Sequence, residues 1–143
     1  MKTVSEILKK KGSSVWTIGP EEMVIEALRV MADKEIGALV VVESGKVVGI
    51  FTERDYARKV ILKGAASRET PVRDIMSTRV AYAQLEMTAE ECLALMTEKR
   101  FRHLPVIDDG ELKGLVSIGD AVKAVIEERE FMIGQLENYI MGG

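Results

Sequence analysis

The sequence predicts a mixed α/β fold built from two similar copies, each with the element order β-α-β-β-α. Two observations carry this prediction: an internal repeat with a period of 65 residues, and the same short polar motif at the end of a strand in each copy. When residues 15–61 are aligned with residues 80–126 without a gap, 13 of the 47 positions are identical. A fixed internal period sets the architecture, so we predict two pseudo-symmetric repeats.

Each copy opens with a short helical lead, followed by a brief strand and an amphipathic helix. The leads are VSEIL at 4–8 and VRDIM at 72–76, and the predicted strands are 15–18 and 80–83. In the first copy, apolar residues recur with helical spacing from Val24 to Met31, and Pro20 suits the first turn of this helix. In the second copy, Thr88 followed by Glu91 predicts a capping box.

A β-hairpin and a further helix complete each copy. The hairpins are ALVVVESGKVVGIFT at 38–52 and HLPVIDDGELKGLVS at 103–117, in which SG and DDG supply the turns. The final helices are predicted at 53–63 and 118–141. One copy alone is marginal in size, so we expect the two repeats to pack sheet to sheet. The predicted boundaries are 1–63 for repeat 1, 64–71 for a linker and 72–143 for repeat 2.

The repeated motif reads GIFTERD at 49–55 and GLVSIGD at 114–120. In each, a hydroxyl residue (Thr52 or Ser117) precedes an aspartate (Asp55 or Asp120) by three positions at a strand-to-helix junction. One interpretation is helix capping, which the spacing alone favours. The other is nucleotide binding, because a helix N-terminus can bind phosphate and a carboxylate can accept both hydroxyls of a ribose. The spacing leaves both interpretations open.

Composition excludes several classes of function. A net charge of −3 gives no electrostatic footprint for nucleic acid. The single Cys92 lies in an apolar stripe, and the sequence contains no paired nucleophile and base, no metal-ligand motif and no phosphate-binding glycine motif. We therefore expect no enzyme activity, no metal and no required cofactor. Because no run of apolar residues approaches 18 and no leader pattern opens the chain, we expect a soluble, cytoplasmic protein without membrane contact.

Over nearly its whole length the chain resembles a tandem pair of CBS domains, the module named after cystathionine β-synthase. The resemblance rests on the repeat, on GIFTERD and GLVSIGD, and on the segments IGALVVVE (36–43) and FRHLPVID (101–108). It implies a non-catalytic sensor that binds an adenine nucleotide such as AMP, ATP or NAD. By this resemblance Asp55 and Asp120 hold ribose, and Thr52 and Ser117 lie near ribose or phosphate. Adenine is then expected against residues of the first strand and of the hairpin entry: Thr17, Ile18, Gly37 and Ala38 in one site, and Tyr82, Ala83 and His103 in the other.

Arginines near the motifs are candidates to bind phosphate, because a guanidinium can contact it bidentately. The candidates are Arg54 and Arg58 near the first motif, and Arg100, Arg102 and His103 at the second hairpin entry, where a solvated loop is the alternative interpretation. The second motif has Gly119 where the first has Arg54, so the two sites are expected to differ. A phosphate-rich ligand is predicted to prefer the Asp55 site.

The last predicted helix is unusually long, and its apolar stripe continues beyond Glu128 to Ile140. An exposed apolar helix face usually contacts another chain, so we expect a homodimer. A regulated enzyme or transporter is a further candidate partner. The alternative function is a ligand-free homodimeric interaction domain, in which both aspartates act only as helix caps.

Overall fold

The structure is a computed structural model that describes residues 1–142. The first helix, α1 (Val4–Lys11), is separated along the chain from the rest of the unit to which it belongs. This split unit comprises residues 1–13 together with residues from 81 onward, whereas a continuous unit comprises residues 14–80. Each unit contains one of the two predicted hairpins.

The continuous unit is built on a three-stranded sheet. β1 (Thr17–Ile18) runs parallel to β2 (Ala38–Glu43), which pairs antiparallel with β3 (Lys46–Thr52). α2 (Val24–Lys34) connects β1 to β2, while α3 begins at Glu53–Asp55 and continues as a π-type turn through Tyr56–Ile61. A 3₁₀ turn follows at Val72–Asp74. The core of this unit consists of Ile18, Val24, Ala27, Met31, Leu39, Val41, Phe51, Val60, Val72 and Ile75.

The split unit is built on the second hairpin. β4 (His103–Asp108) pairs antiparallel with β5 (Glu111–Ser117), and they are flanked by α4 (Ala89–Lys99) and α5 (Ile118–Met141). The capping box predicted for α4 is confirmed, because the Thr88 hydroxyl accepts from the Glu91 N–H and the Glu91 carboxylate accepts from the Thr88 N–H. The main core consists of Val4, Leu8, Ala83, Cys92, Met96, Leu104, Val106, Val116 and Ala121.

The lead segments explain why the compact units differ from the repeats. Val4 and Leu8 of α1 pack with Val116 of β5, which belongs to the second repeat. Val72 and Ile75 of the second lead pack in the core of the continuous unit, which contains the first hairpin. Each lead therefore covers the sheet of the other copy, so the units are not the segments 1–63 and 72–143 that the repeat predicted.

Both hairpin predictions are confirmed. Ser44 and Gly45 have φ of 51° and 78°, and Asp109 and Gly110 have φ of 52° and 76°. Two successive residues in the left-handed region form the turn that matches the twist of antiparallel strands, and glycine adopts this conformation at little steric cost.

Three details of the predicted elements are wrong. The predicted strand 80–83 is reduced to a single bridge between Ala83 and Val106, because Pro105 stands in β4 where β2 has Val40 and has no N–H to donate to a further pair. The predicted helical lead at 72–76 is one 3₁₀ turn. Pro20 lies in a turn before α2, whose first two N–H groups donate to the carbonyls of Thr70 and Ser67.

Candidate functional site

Each copy of the repeated motif forms a complete capping box at a strand-to-helix junction. The hydroxyl of Thr52 accepts a hydrogen bond from the Asp55 N–H at 3.1 Å, and Asp55 Oδ2 accepts from the Thr52 N–H at 3.1 Å. The hydroxyl of Ser117 accepts from the Asp120 N–H at 3.1 Å, and Asp120 Oδ2 accepts from the Ser117 N–H at 2.9 Å. The capping interpretation is therefore confirmed at both junctions.

The Asp55 carboxylate is nearly enclosed and uses both of its oxygens. Its residue is 8% exposed. In addition to the capping bond, Oδ2 accepts from the Thr52 hydroxyl, while Oδ1 accepts from the Ser77 hydroxyl at 3.1 Å and lies 3.2 Å from the Lys59 ammonium. These partners satisfy the charge and most of the hydrogen-bonding capacity of the carboxylate.

The Asp120 carboxylate is more open and is paired differently. Its Oδ2 accepts from the Lys11 ammonium at 2.6 Å, whereas Oδ1 accepts no hydrogen bond from any group within residues 1–142. Partial burial raises the pKa of Asp120, but hydrogen bonds from Lys11 and Ser117 outweigh burial and hold the pKa below its ordinary value. The carboxylate is thus ionised at neutral pH and keeps one oxygen available.

Ser77 and Lys11, each just beyond a lead segment, make equivalent contacts in the two units. The Ser77 N–H donates to the Ile50 carbonyl at 2.9 Å, and its hydroxyl donates to Asp55. The Lys11 ammonium donates to the Leu115 carbonyl at 2.8 Å and to Asp120. Ile50 and Leu115 are aligned by the 65-residue repeat. Each lead therefore contacts the same carbonyl and the same carboxylate, with a neutral group in one unit and a cation in the other.

The glycine of each motif allows the lead to approach the sheet. A Cβ on Gly49 would lie 2.8 Å from Met76 Sδ and 2.9 Å from the Ser77 carbonyl oxygen. A Cβ on Gly114 would lie 2.6 Å from Leu8 Cδ2. All three distances are shorter than a Cβ contact allows, so the glycines set how closely each lead packs on its strand.

The structure brings the predicted residues of the continuous unit to one corner. Ala38 pairs with Thr52 across β2 and β3, and the Gly37 carbonyl accepts from the Glu53 N–H at 3.1 Å. On the neighbouring strand β1, the predicted residues Thr17 and Ile18 pair with Val40 and Val41. Ile18 is buried and Thr17 is exposed, while Arg54 is exposed at the start of α3 and forms no ion pair within residues 1–142.

The predicted residues of the split unit also converge. His103 pairs with Ser117 across β4 and β5, and the Arg102 carbonyl accepts from the Ile118 N–H at 2.8 Å. Ala83 is buried, whereas Tyr82 is 43% exposed beside it. Burial lowers the pKa of His103; Asp120 opposes this shift, and Lys11 and Arg102 add to it. His103 is therefore neutral at pH 7 and contributes no cation for phosphate.

Three polar residues of the two sites were missed from the sequence: Lys11, Lys59 and Ser77. Lys59 follows Asp55 by four residues, which is a helical ion-pair spacing, so this contact was available as a sequence signal. Lys11 and Asp120 are 109 residues apart, and no local pattern connects them. The repeated glycine was the one indirect signal that another segment crosses each strand.

Each site combines a carboxylate at a helix N-terminus with a hydroxyl and a lysine. A carboxylate that caps a helix can accept ligand hydroxyls, and the nearby lysines can neutralise an anionic group. The thiol of Cys92 is buried in the core, and burial raises its pKa to about 11, so it stays protonated at neutral pH. Within residues 1–142 no helix is both long enough and apolar enough to cross a lipid bilayer.

Two segments of the chain, residues 4–62 and residues 72–127, match the family model of the CBS domain. The chain belongs to the CBS domain family. It carries two CBS domains in tandem, and the predicted resemblance is confirmed. CBS domains are a class of regulatory module.

Curated relatives and solved structures agree with this assignment. The chain is 40% identical to the mitochondrial CBS domain-containing protein CBSX3 of Arabidopsis thaliana over 151 aligned positions, covering 99% of this chain and 73% of that protein. A CBS-domain protein structure from Burkholderia ambifaria has 49% identity and a TM-score of 0.85, covering 88% of this chain and 95% of that one. One from Agrobacterium tumefaciens has 42% identity and a TM-score of 0.82, covering 86% and 98%.

Proposed function

We propose that this CBS protein is a non-catalytic regulatory module that binds an adenosine-containing ligand of the AMP, ATP or NAD type. The observation that carries the proposal is the Ser/Thr-x-x-Asp capping box repeated at both strand-to-helix junctions, where a carboxylate lies at a helix N-terminus. In this proposal Asp55 and Asp120 accept the ribose hydroxyls. No cofactor is required, and the ligand acts as a signal.

The residues around each carboxylate support a site for a flat base. Gly37 has no side chain, and Ala38 adds only a methyl group at the hairpin entry of the continuous unit. In the split unit the exposed ring of Tyr82 offers a stacking surface beside buried Ala83. In each unit an aspartate can accept the ribose hydroxyls, and small or aromatic residues leave a surface for the base. This combination fits a nucleoside.

A solved CBS domain pair shows that this fold can hold adenosine compounds. That protein was crystallised with 5′-methylthioadenosine and S-adenosyl-L-methionine, both of which contain adenosine. It is 22% identical to this chain with a TM-score of 0.78, so the likeness concerns the fold alone. The choice among AMP, ATP and NAD therefore rests on experiment.

The alternative is a ligand-free interaction domain whose aspartates only cap helices. The contacts of Asp55 favour this alternative in the continuous unit, because Thr52, Ser77 and Lys59 already engage both of its oxygens. Asp120, with one free oxygen, favours ligand binding in the split unit.

A ligand-induced thermal shift separates the two functions. AMP, ATP, NAD and adenosine are each added to the wild-type chain and to Asp55→Asn and Asp120→Asn variants, and the shift is compared with each variant's own ligand-free melting temperature. A ligand at 100 times its Kd stabilises a single-site protein by about 2.7 kcal/mol. We expect a shift that shrinks in Asp120→Asn, and a 2′,3′-dideoxy analogue serves as the matched control. No shift with any ligand would support the capping-only domain.

We also propose that the chain forms a homodimer through the C-terminal half of α5. Its buried residues, Ala121 and Ala124, both lie in the first two turns, whereas a set of large apolar side chains farther along is more than half exposed: Phe131, Met132, Ile133, Leu136, Tyr139 and Ile140. Met132, Leu136 and Tyr139 follow the alternating four- and three-residue spacing of a coiled-coil seam. A second copy supplies an identical seam, so we propose it as the partner.

Sedimentation of the full chain and of a chain truncated after Arg129 tests this interface. The truncation keeps Ala121, Ala124 and the acidic side chains that pair with the N-terminal segment and α1, so the split unit should still fold. We expect the full chain to sediment as a dimer and the truncated chain as a monomer. If a Leu136→Asp variant remained dimeric, the proposal that this seam forms the interface would be wrong.

The relatives bear on three further properties: oligomeric assembly, partner and cellular location. A hexameric CBS-CP12 protein from bloom-forming cyanobacteria has 28% identity and a TM-score of 0.76, covering 85% of this chain and 70% of that one. A regulated enzyme or transporter remains a proposed partner of this chain. The cytoplasmic location stays a prediction, and CBSX3 is named as mitochondrial.

A further inference from the structure

A cleft of about 310 Å³ lies between α1 and the first turns of α5 in the split unit. Its volume is at the lower end of the range of small-molecule sites. Its charged lining includes four lysines and two carboxylates that pair with three of them: Lys2, Lys10, Lys11, Lys123, Asp120 and Glu127. Asp120 belongs both to this cleft and to the candidate site, so a group bound to its carboxylate has the lysines as neighbours.

The lysine cleft carries an excess of positive charge. Lys2 and Lys10 both contact Glu127 Oε2 at 2.8 Å, and the third lining carboxylate, Glu6, accepts from the Thr3 hydroxyl. Within residues 1–142 Lys123 forms no ion pair with a carboxylate. The four cations therefore outnumber the three carboxylates, and the field in the cleft favours an anion.

Lys11 and Asp120 each retain hydrogen-bonding capacity where they meet. The Lys11 ammonium has three donors, and two of them contact Asp120 Oδ2 and the Leu115 carbonyl. Its third donor has no acceptor within residues 1–142, and Asp120 Oδ1 accepts no hydrogen bond there. A free donor and a free acceptor thus lie on neighbouring side chains at the edge of the cleft.

We propose that the lysine cleft binds the anionic group of the ligand whose sugar hydroxyls are held by Asp120, and that Lys11 is the residue that selects a phosphorylated ligand over an uncharged nucleoside. This inference rests on the proposed function and specifies which of the two sites distinguishes a phosphorylated ligand from an uncharged one. The sequence favoured the Asp55 site for phosphate, but the contacts of the two carboxylates point to Asp120.

In the continuous unit the cation beside the equivalent carboxylate, Asp55, comes from a different element. Asp55 receives its cation from Lys59 on its own helix, and the Lys59 ammonium also donates to the Ile75 carbonyl. The lead contributes the neutral Ser77 there. The position equivalent to Lys59 in the second repeat is Ala124, so the split unit uses a lysine from α1 instead.

The test measures binding of ATP, AMP and adenosine to the full chain and to a Lys11→Met variant, which keeps most of the aliphatic stem and removes the charge. Amide chemical shifts of Asp120 and Asp55 report the two sites separately. We expect Lys11→Met to weaken AMP and ATP at the Asp120 site roughly tenfold, the scale of one charge-assisted hydrogen bond, and to leave adenosine unchanged. Lys9→Met is the matched control, because Lys9 is exposed in the same turn of α1 and does not line the cleft.

A Lys11→Arg variant and a melting curve for each variant keep the test independent of folding. Lys11→Arg is expected to restore much of the preference for AMP over adenosine. The inference is overturned if adenosine and AMP weaken equally in Lys11→Met, or if Lys9→Met has the same effect as Lys11→Met.

Inorganic tripolyphosphate separates this inference from the proposed function. If tripolyphosphate shifts the Asp120 amide of the wild-type chain but not of Lys11→Met, and no adenine compound binds, the lysine cleft is an anion site and the nucleotide proposal fails. If adenosine binds at Asp120 and added phosphates give no gain, the nucleotide proposal stands and the role of Lys11 is rejected.

Discussion

Asp55 and Asp120 have the same backbone setting but different partners. Both cap a helix after a strand, and both are contacted by the lead segment of the other copy. Asp55 is enclosed by a hydroxyl on the lead and a lysine on its own helix, whereas Asp120 depends on a lysine from α1 and keeps one oxygen free. The comparison shows that a duplicated motif fixes where a carboxylate sits, while residues outside the motif decide whether it is available to a ligand.

Replacing the motif glycines is expected to give the largest difference between the units. A methyl group at position 49 meets the Ser77 backbone oxygen, which cannot rotate away, whereas one at position 114 meets the end of the Leu8 side chain. We expect Gly49→Ala to cost about 3 kcal/mol of unfolding free energy and Gly114→Ala about 1 kcal/mol, the two ends of the usual range for overpacking.

Each glycine variant can be followed by a reporter in its own unit. The only tryptophan, Trp16, lies in the continuous unit, and the only cysteine, Cys92, is buried in the split unit. Urea titration followed by Trp16 fluorescence measures the effect of Gly49→Ala, and the rate of Cys92 thiol exchange measures that of Gly114→Ala. Equal losses of unfolding free energy in the two variants would contradict this ranking. They would show that the Ser77 backbone and the Leu8 side chain move aside equally easily.

The second-largest difference is expected between the stability losses of Asp55→Asn and Asp120→Asn. Asp55→Asn places an amide N–H near Thr52, Ser77 or Lys59, all of which donate to the carboxylate, so we expect a loss of about 1.5–3 kcal/mol. Asp120→Asn weakens a partly exposed ion pair and keeps an acceptor for the cap, so we expect less than about 1 kcal/mol. Chemical denaturation at pH 7 without ligand measures both values. A larger loss for Asp120→Asn would reverse our ranking of the two sites.

The smallest expected effect concerns the ion pairs of Glu127 on α5 with Lys10 of α1 and with Lys2, which precedes α1. Hydrogen bonds from Lys10 and Lys2 lower the pKa of Glu127 from 4.5 to about 2. Since the folded pKa is depressed, its stabilisation is present above pH 4.5 and is lost as the pH falls toward 2. We expect Glu127→Gln to lower the urea midpoint at pH 7 and to match the wild-type chain near pH 2. The first repeat has Leu62 at the equivalent position, so Leu62→Gln is the control without an ion pair to lose.

The elements that depend on neighbouring residues were predictable from the sequence. The Thr88, Thr52 and Ser117 caps follow from spacings of three residues, and the hairpins follow from their turn residues. α5 spans 118–141 as predicted, because its helical pattern continues without a break. Such features are determined within one or two turns of chain, where sequence patterns are informative.

The features that depend on distant residues were not predictable in the same way. The alignment of the repeats indicated that α1 corresponds to the 72–76 segment, but not that each lead packs on the other copy's sheet. The loss of most of the 80–83 strand depends on its partner strand, because Pro105 of β4 has no N–H with which to extend the pairing beyond Ala83. The Lys11–Asp120 ion pair joins two surface charges that have no common pattern, so only the fold brings them together.

The position of α1 also affects the order in which the protein can fold during synthesis. Its apolar residues, including Leu8, pack with residues such as Val116, which the ribosome adds more than 100 positions later. At roughly 5–20 residues per second, the emerging chain carries this helix without its partners for several seconds. Meanwhile all of residues 14–80 become available, so the continuous unit can complete its core first. Closure of the split unit then requires a contact of high sequence separation, which makes it the slower step.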